Sequence, residues 1–131
     1  MMRPLLHNRA VSRVASFGHA FRGIGVLLAG QPNARLHLLA AVLVVVLGAW
    51  LRIDALEWAL LSAVIGLVLC AEALNTGIEI VVDLVSPQWH QLARDAKDVA
   101  AAGVLLASLG ALATGAWIFM PRLLARWHLG G

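Results

Sequence analysis

The sequence predicts an all-α integral membrane protein of three transmembrane helices preceded by an amphipathic surface helix. Three observations predict it. Of the 131 residues 61% are hydrophobic and only 13% are charged, whereas a soluble domain carries about 25% charged residues. Three long apolar tracts are separated by short polar turns. Within one tract, Glu72, Asn75, Glu79 and Asp83 lie in a context that still reads as helix. The chain reads as one membrane domain over 1–131, with a surface helix at 12–29 and membrane helices at 33–51, 56–85 and 92–120.

The net charge of +3 comes from ten basic and seven acidic groups that are spread along the chain. No basic and aromatic interleaving suggests a nucleic-acid platform, and the excess fits membrane topology and lipid headgroups better. Cys70 is the single cysteine, which excludes an internal disulfide and a cysteine-rich metal site. Its bland reading is a small buried hydrophobe.

Met1 to Arg9 reads as a frayed polar tail. It is not a cleavable leader, because Arg13, Ser16, His19 and Arg22 interrupt any apolar core behind it. From Ser12 to Leu28, Val14, Phe17, Phe21, Ile24 and Leu28 recur at spacings of three and four, with Arg13, Ser16, His19 and Arg22 largely between them. This is the pattern of a helix lying on an anionic leaflet; a juxtamembrane arm without contact to any site is the plainer alternative. Gly18, Gly23 and Gly25 weaken it as a free helix and allow close packing.

The stretch AGQP at Ala29–Pro32 breaks the pattern, and Pro32 opens the next helix, where its missing donor costs nothing. Arg35 to Leu51 is short for a span, with Trp50 marking an interface. After a polar turn at Arg52–Glu57, the second span has a clean apolar run only from Trp58 to Ala71. Continued to Val85 it makes a helix of about 30 residues and about 45 Å. Its Glu79 and Asp83 end therefore projects into the headgroup region, with Glu72 the deepest carboxylate.

Ser86-Pro87 stops that helix, and Trp89 and His90 mark an interfacial loop. Leu92–Asp98 restarts as a charged helix leading into the third span, whose Gly103, Ala107 and Ala111 form a small-residue face suited to helix contacts. Pro121 is expected to end it. With the N-terminus inside, Arg3, Arg9, Arg13, Arg22, Arg35, Arg94 and Lys97 are cytoplasmic, against Arg52, Arg122 and Arg126 outside. The basic bias favours this orientation and puts the acidic stripe at the cytoplasmic face.

At 100° per residue the four polar side chains from Glu72 to Asp83 fall within about 80° of one another. Carboxylates inside a membrane helix are costly and mark function by default. Their oxygens suit magnesium, and the scattered histidines offer no zinc pattern. One shallow carboxylate can hold a cation while the deeper receives a proton, and Lys97, across the Ser86-Pro87 turn, can reach a phosphate. No Walker or protein-kinase motif is present. A kinase acting on a lipid hydroxyl needs these parts at this depth; an interhelical hydrogen-bond network, a non-catalytic helical scaffold or lipid-binding protein, and an ion path are the competing readings. Three spans are thin for a site, so self-association is expected.

The segment EALNTGIEIVVD, Glu72–Asp83, resembles the signature of the prokaryotic diacylglycerol kinase family, which includes undecaprenol kinases, and the likeness continues through LVSPQWHQLARDAKDVAAGVLL. The resemblance extends from about Phe17 to Trp117. It implies a homotrimer in the bacterial inner membrane that uses magnesium-ATP to phosphorylate a lipid alcohol, diacylglycerol or undecaprenol, at the cytoplasmic face, in a site shared between neighbouring chains. It further implies Glu72 as catalytic base, Asn75 as an active-site amide and Glu79 as a metal ligand. Lys97 and Asp98 are implied as nucleotide contacts, with Asp83, Trp89 and His90 in the segment lining the nucleotide site. A second acidic metal ligand of the family matches Gln31 here, a neutral and weaker donor. Arg35 is expected at a lipid headgroup or the acidic cluster, with snorkelling to phosphate the plainer role.

Overall fold

The computed structural model describes residues 9–129, with side chains described from 15 to 128. The polar tail expected over residues 1–9 lies outside them except for Arg9, and the side chains of Arg13 and Val14 are likewise outside. Four helices follow one another: α1 (Arg9–Gly30), α2 (Pro32–Leu51), α3 (Ala55–Val85) and α4 (Gln91–Leu129). Helices α2, α3 and α4 are long and apolar enough to cross a membrane, and α1 is not among them. Phe17, Phe21 and Ile24 of α1 are exposed, so this part of its apolar face is uncovered among the described residues, as suits a helix lying in the interface.

Gln31 is the one residue between α1 and α2. Its extended backbone makes it the N-cap of α2, with Pro32 in the first turn where no donor is missed. Short connections at 52–54 and 86–90 make α2, α3 and α4 successive antiparallel neighbours. Helix α3 is central: it packs along α4 and also touches α1 and α2.

The α2–α3 turn is closely specified. Arg52 takes the left-handed conformation at φ 53°, with its N–H on the Ala49 carbonyl and that of Ile53 on the Gly48 carbonyl. This is a Schellman ending made without glycine. Asp54 then caps α3: its carboxylate accepts from the Glu57 N–H, and Glu57 accepts from the Asp54 N–H, both at 2.9 Å, a reciprocal capping box. Leu51, Ile53, Leu61, Ile118 and Phe119 bury around this turn, with Val44, Leu47, Trp58, Val64 and Ile65 against them. The apolar core thus sits at the end of the bundle opposite Glu79 and Asp83.

One expectation is corrected. Helix α4 does not stop before Pro121 but runs through it to Leu129. A proline inside a helix takes the donor from the carbonyl four residues back, here Trp117, and disturbs the turn. Arg122 braces the next turn: its guanidinium donates to the Ile118 carbonyl at 3.0 Å while gripping the Glu57 carboxylate with two bonds of 2.6 and 2.7 Å. One turn on, the Arg126 guanidinium lies 4.4 Å from the Trp50 ring centroid. These long-range contacts hold the last turns helical where local preference would end them.

Candidate active site

Helix α3 carries its polar stripe from the interior outwards. Glu72 is 2% exposed, Asn75 8% and Thr76 6%; Glu79 is half-buried and Asp83 exposed. The buried members are surrounded by apolar helix, so their polar atoms depend on one another or on what binds.

Glu79 is the meeting point. Asn75, one turn earlier on the same face, donates its amide to one Glu79 oxygen at 3.1 Å. Gln31, from the α1–α2 junction, donates to the other oxygen at 3.2 Å. Gln31 can do so because the break between α1 and α2 falls beside this turn of α3. Asn75 Oδ1 is buried and unpartnered, as is the Thr76 hydroxyl. Glu72 has no hydrogen bond among the described residues.

A second group lies nearer the water. Lys97 on α4 pairs with Asp83 at 2.5 Å across the 86–90 turn. That turn is set by the Ser86 N–H on the Val82 carbonyl and the Ser86 hydroxyl on the Gln88 carbonyl. His90 Nδ1 accepts from the Leu92 N–H at 3.2 Å, which opens α4. Trp89 is exposed. Asp98 pairs with Arg94, not with the stripe, at 3.7 Å on an exposed face. Arg35 is exposed and has no ion pair among the described residues.

So Gln31, Asn75 and Glu79 are brought together, Asp83 and Lys97 are brought together, and Asp98 and Arg35 stand apart from both groups. Thr76 was not singled out in the sequence. The available signal was its position: four residues after Glu72 puts it about 40° around the helix and about 6 Å along it.

No group of three or more His, Cys, Asp or Glu side chains able to hold a metal is formed among the described residues. The donor set nevertheless fits magnesium, which is commonly held by one or two carboxylates together with substrate phosphates and water. Glu79 supplies the carboxylate. The flanking amides of Gln31 and Asn75 each present an oxygen to a cation when turned over, and Asn75 Oδ1 is already without a partner.

A family model described as prokaryotic diacylglycerol kinase matches residues 18–119. A diacylglycerol kinase of Synechocystis sp. is 38% identical over 127 residues, covering 94% of this chain and 73% of that one. An undecaprenol kinase of Bacillus subtilis is 37% identical over 108 residues, covering 82% and 88%. A diacylglycerol kinase of Escherichia coli is 34% identical over 101 residues, covering 77% and 83%. The family match takes in α2, α3, the 86–90 turn and every site residue named above, and the chain therefore belongs to the prokaryotic diacylglycerol kinase family.

Proposed function

We propose that the protein is an ATP-dependent lipid kinase of the bacterial inner membrane that phosphorylates the hydroxyl of diacylglycerol or undecaprenol. The observation that carries it is the pairing of an enclosed, unpartnered carboxylate, Glu72, with a second carboxylate two turns nearer the water, Glu79, held by two amides. A general base with a free lone pair at membrane depth and a charged group toward the phosphates is the division of labour this transfer requires.

Glu72 takes the proton of the lipid hydroxyl. The hydroxyl oxygen forms its new bond to the γ-phosphorus as the bond from that phosphorus to the β,γ-bridging oxygen breaks. ADP leaves with that electron pair, and Glu72 later returns its proton to water. Asn75 fixes Glu79 and so the phosphate end of the site. Lys97 moves from Asp83 to the phosphates of ATP, an exchange made cheap by the exposure of the pair. Asp98, Trp89 and His90 border the nucleotide from the start of α4 and the turn before it. Glu79, with the Gln31 and Asn75 amide oxygens, would hold magnesium, which would supply positive charge against the phosphoryl oxygens. Arg35 meets a lipid phosphate at the headgroup level.

We further propose a homotrimer with its N-terminus and acidic stripe on the cytoplasmic side. Only 6% of the apolar window of α4 is buried within the chain: Leu105, Leu106, Leu109 and Leu112 are exposed and available to another copy, while Ala107 and Ala111 of the small-residue face are half-buried within the chain, and Glu72 has no partner among the described residues. The arginines of α1, with Arg35, Arg94 and Lys97, support the orientation.

The test is transfer from γ-labelled ATP with magnesium, in mixed micelles, to diacylglycerol and to undecaprenol. Label appearing in either lipid is expected. An intact, ATP-free assembly silent on both would replace the kinase by a scaffold. Cross-linking in membranes that stops at dimers would remove the trimer.

A further inference from the structure

Between α1 and α3 lies a pocket of about 510 Å³, lined by His19, Arg22 and Gly23 of α1 and by Ala73, Thr76, Gly77 and Ile80 of α3, among others. Residues 73, 76, 77 and 80 form one face of α3, adjacent to the face that carries Glu72, Asn75 and Glu79. Thr76 stands at the seam, belonging to the pocket wall and lying within about 40° of Glu72.

Its hydroxyl is anomalous. A threonine inside an apolar helix ordinarily donates to the carbonyl four residues back, as Thr114 does to Gly110 at 2.9 Å in this same bundle. Thr76 is 6% exposed and makes no such bond; its hydroxyl is buried without a partner. Asn75 Oδ1 beside it is unpartnered as well. Leaving a buried hydroxyl unmet is costly, and an incoming polar group relieves that cost. The pocket next to it is otherwise mostly apolar, with Arg22 and His19 on its α1 side. Such a pocket suits a molecule with one small polar head on an apolar body.

We propose that Thr76 is a substrate-positioning residue: it binds the oxygen of the lipid alcohol entering between α1 and α3 and turns its proton toward Glu72. The inference rests on the kinase reading above and assigns the acceptor's place within it. By donating to a lone pair of that oxygen, Thr76 leaves the lipid O–H as the remaining hydrogen-bond donor, facing the carboxylate one turn away. The shared chemistry is a hydroxyl on an apolar chain, from a glycerolipid or a polyprenol.

The experiment measures KM and kcat of the full-length protein with dioctanoylglycerol and with a short-chain polyprenol, each against ATP, for Thr76→Val, Thr76→Ser and Gly77→Leu. Gly77 lines the same pocket and a Cβ there meets nothing within 4 Å, so the leucine grows into open space. For the lipid that the wild type uses, Thr76→Val is expected to raise KM about tenfold with KM for ATP unchanged. Thr76→Ser should restore it, and Gly77→Leu should raise the lipid KM by filling the pocket. A response confined to one lipid supports the proposal and names the source of the hydroxyl. Lipid KM unchanged in both Thr76→Val and Gly77→Leu, or lipid and ATP constants shifting together, overturns it while the kinase stands. A wild type inactive on both lipids overturns the kinase reading itself.

Discussion

Gln31 donates its side-chain amide to Glu79 at 3.2 Å, joining residues 48 positions apart in the chain. With Asn75 on the other oxygen, Glu79 is flanked by two neutral donors. Gln31→Glu would set two negative charges side by side, a repulsion that a cation removes. The expected result is Mn²⁺ binding about tenfold tighter, read by paramagnetic resonance on the nucleotide-free protein. Unchanged Mn²⁺ affinity would mean that position 31 does not face the metal.

Glu72→Gln preserves size and removes the base. Phosphoryl transfer should fall by about 10²- to 10⁴-fold, with ATP affinity and assembly size kept. If the folded variant retains full activity, Glu72 has a structural role only.

Glu79→Ala removes the carboxylate on which both amides converge. Magnesium-dependent ATP binding should weaken on the order of tenfold, measured by titrating ATP at several magnesium concentrations. A magnesium dependence identical to that of the wild type would reject the ligand role.

At the opposite end, Arg122 and Glu57 are only 30% and 19% exposed, between a surface pair and a buried one. Arg122→Ala should cost about 1–3 kcal/mol, because Glu57 loses a bidentate partner and the helix around Pro121 loses a brace. A double-mutant cycle with Glu57→Gln on thermal unfolding in detergent reads the coupling. Coupling near zero would argue that α4 does not continue in this form past Pro121.

Gly48 lets α2 meet the start of α3. A Cβ there would come within 3.0 Å of both Ile53 Cδ1 and Trp58 Cη2, and Ile53 is buried in the core. Gly48→Ala gains helix propensity of about 1 kcal/mol but overpacks at a cost of about 1–3 kcal/mol. A net loss of up to about 2 kcal/mol is expected in the same unfolding assay. A clear rise in stability would show that the Trp58 ring yields freely.

The helices were legible in the sequence because their causes are local. Apolar runs, Pro32 in a first turn and Ser86-Pro87 at an end act within a few residues. The polar stripe was legible too, since the helical repeat alone puts Glu72, Asn75, Glu79 and Asp83 on one side. The end of α4 is not legible for the complementary reason: what carries the helix through Pro121 is the pairing of Arg122 with Glu57, 65 residues apart, and local preference contains no term for that partner.

The sequence by itself determined a membrane bundle, its stripe of carboxylates and, through the order of residues in that stripe, its family. Only the tertiary structure decided that Gln31 meets Glu79 as a donor, that Lys97 rests on Asp83 and that the Thr76 hydroxyl is buried without a partner. Those outcomes depend on how one helix lies against another. Helical periodicity fixes the direction of a side chain about its own axis, but the position of a neighbouring helix is set by packing along its whole length.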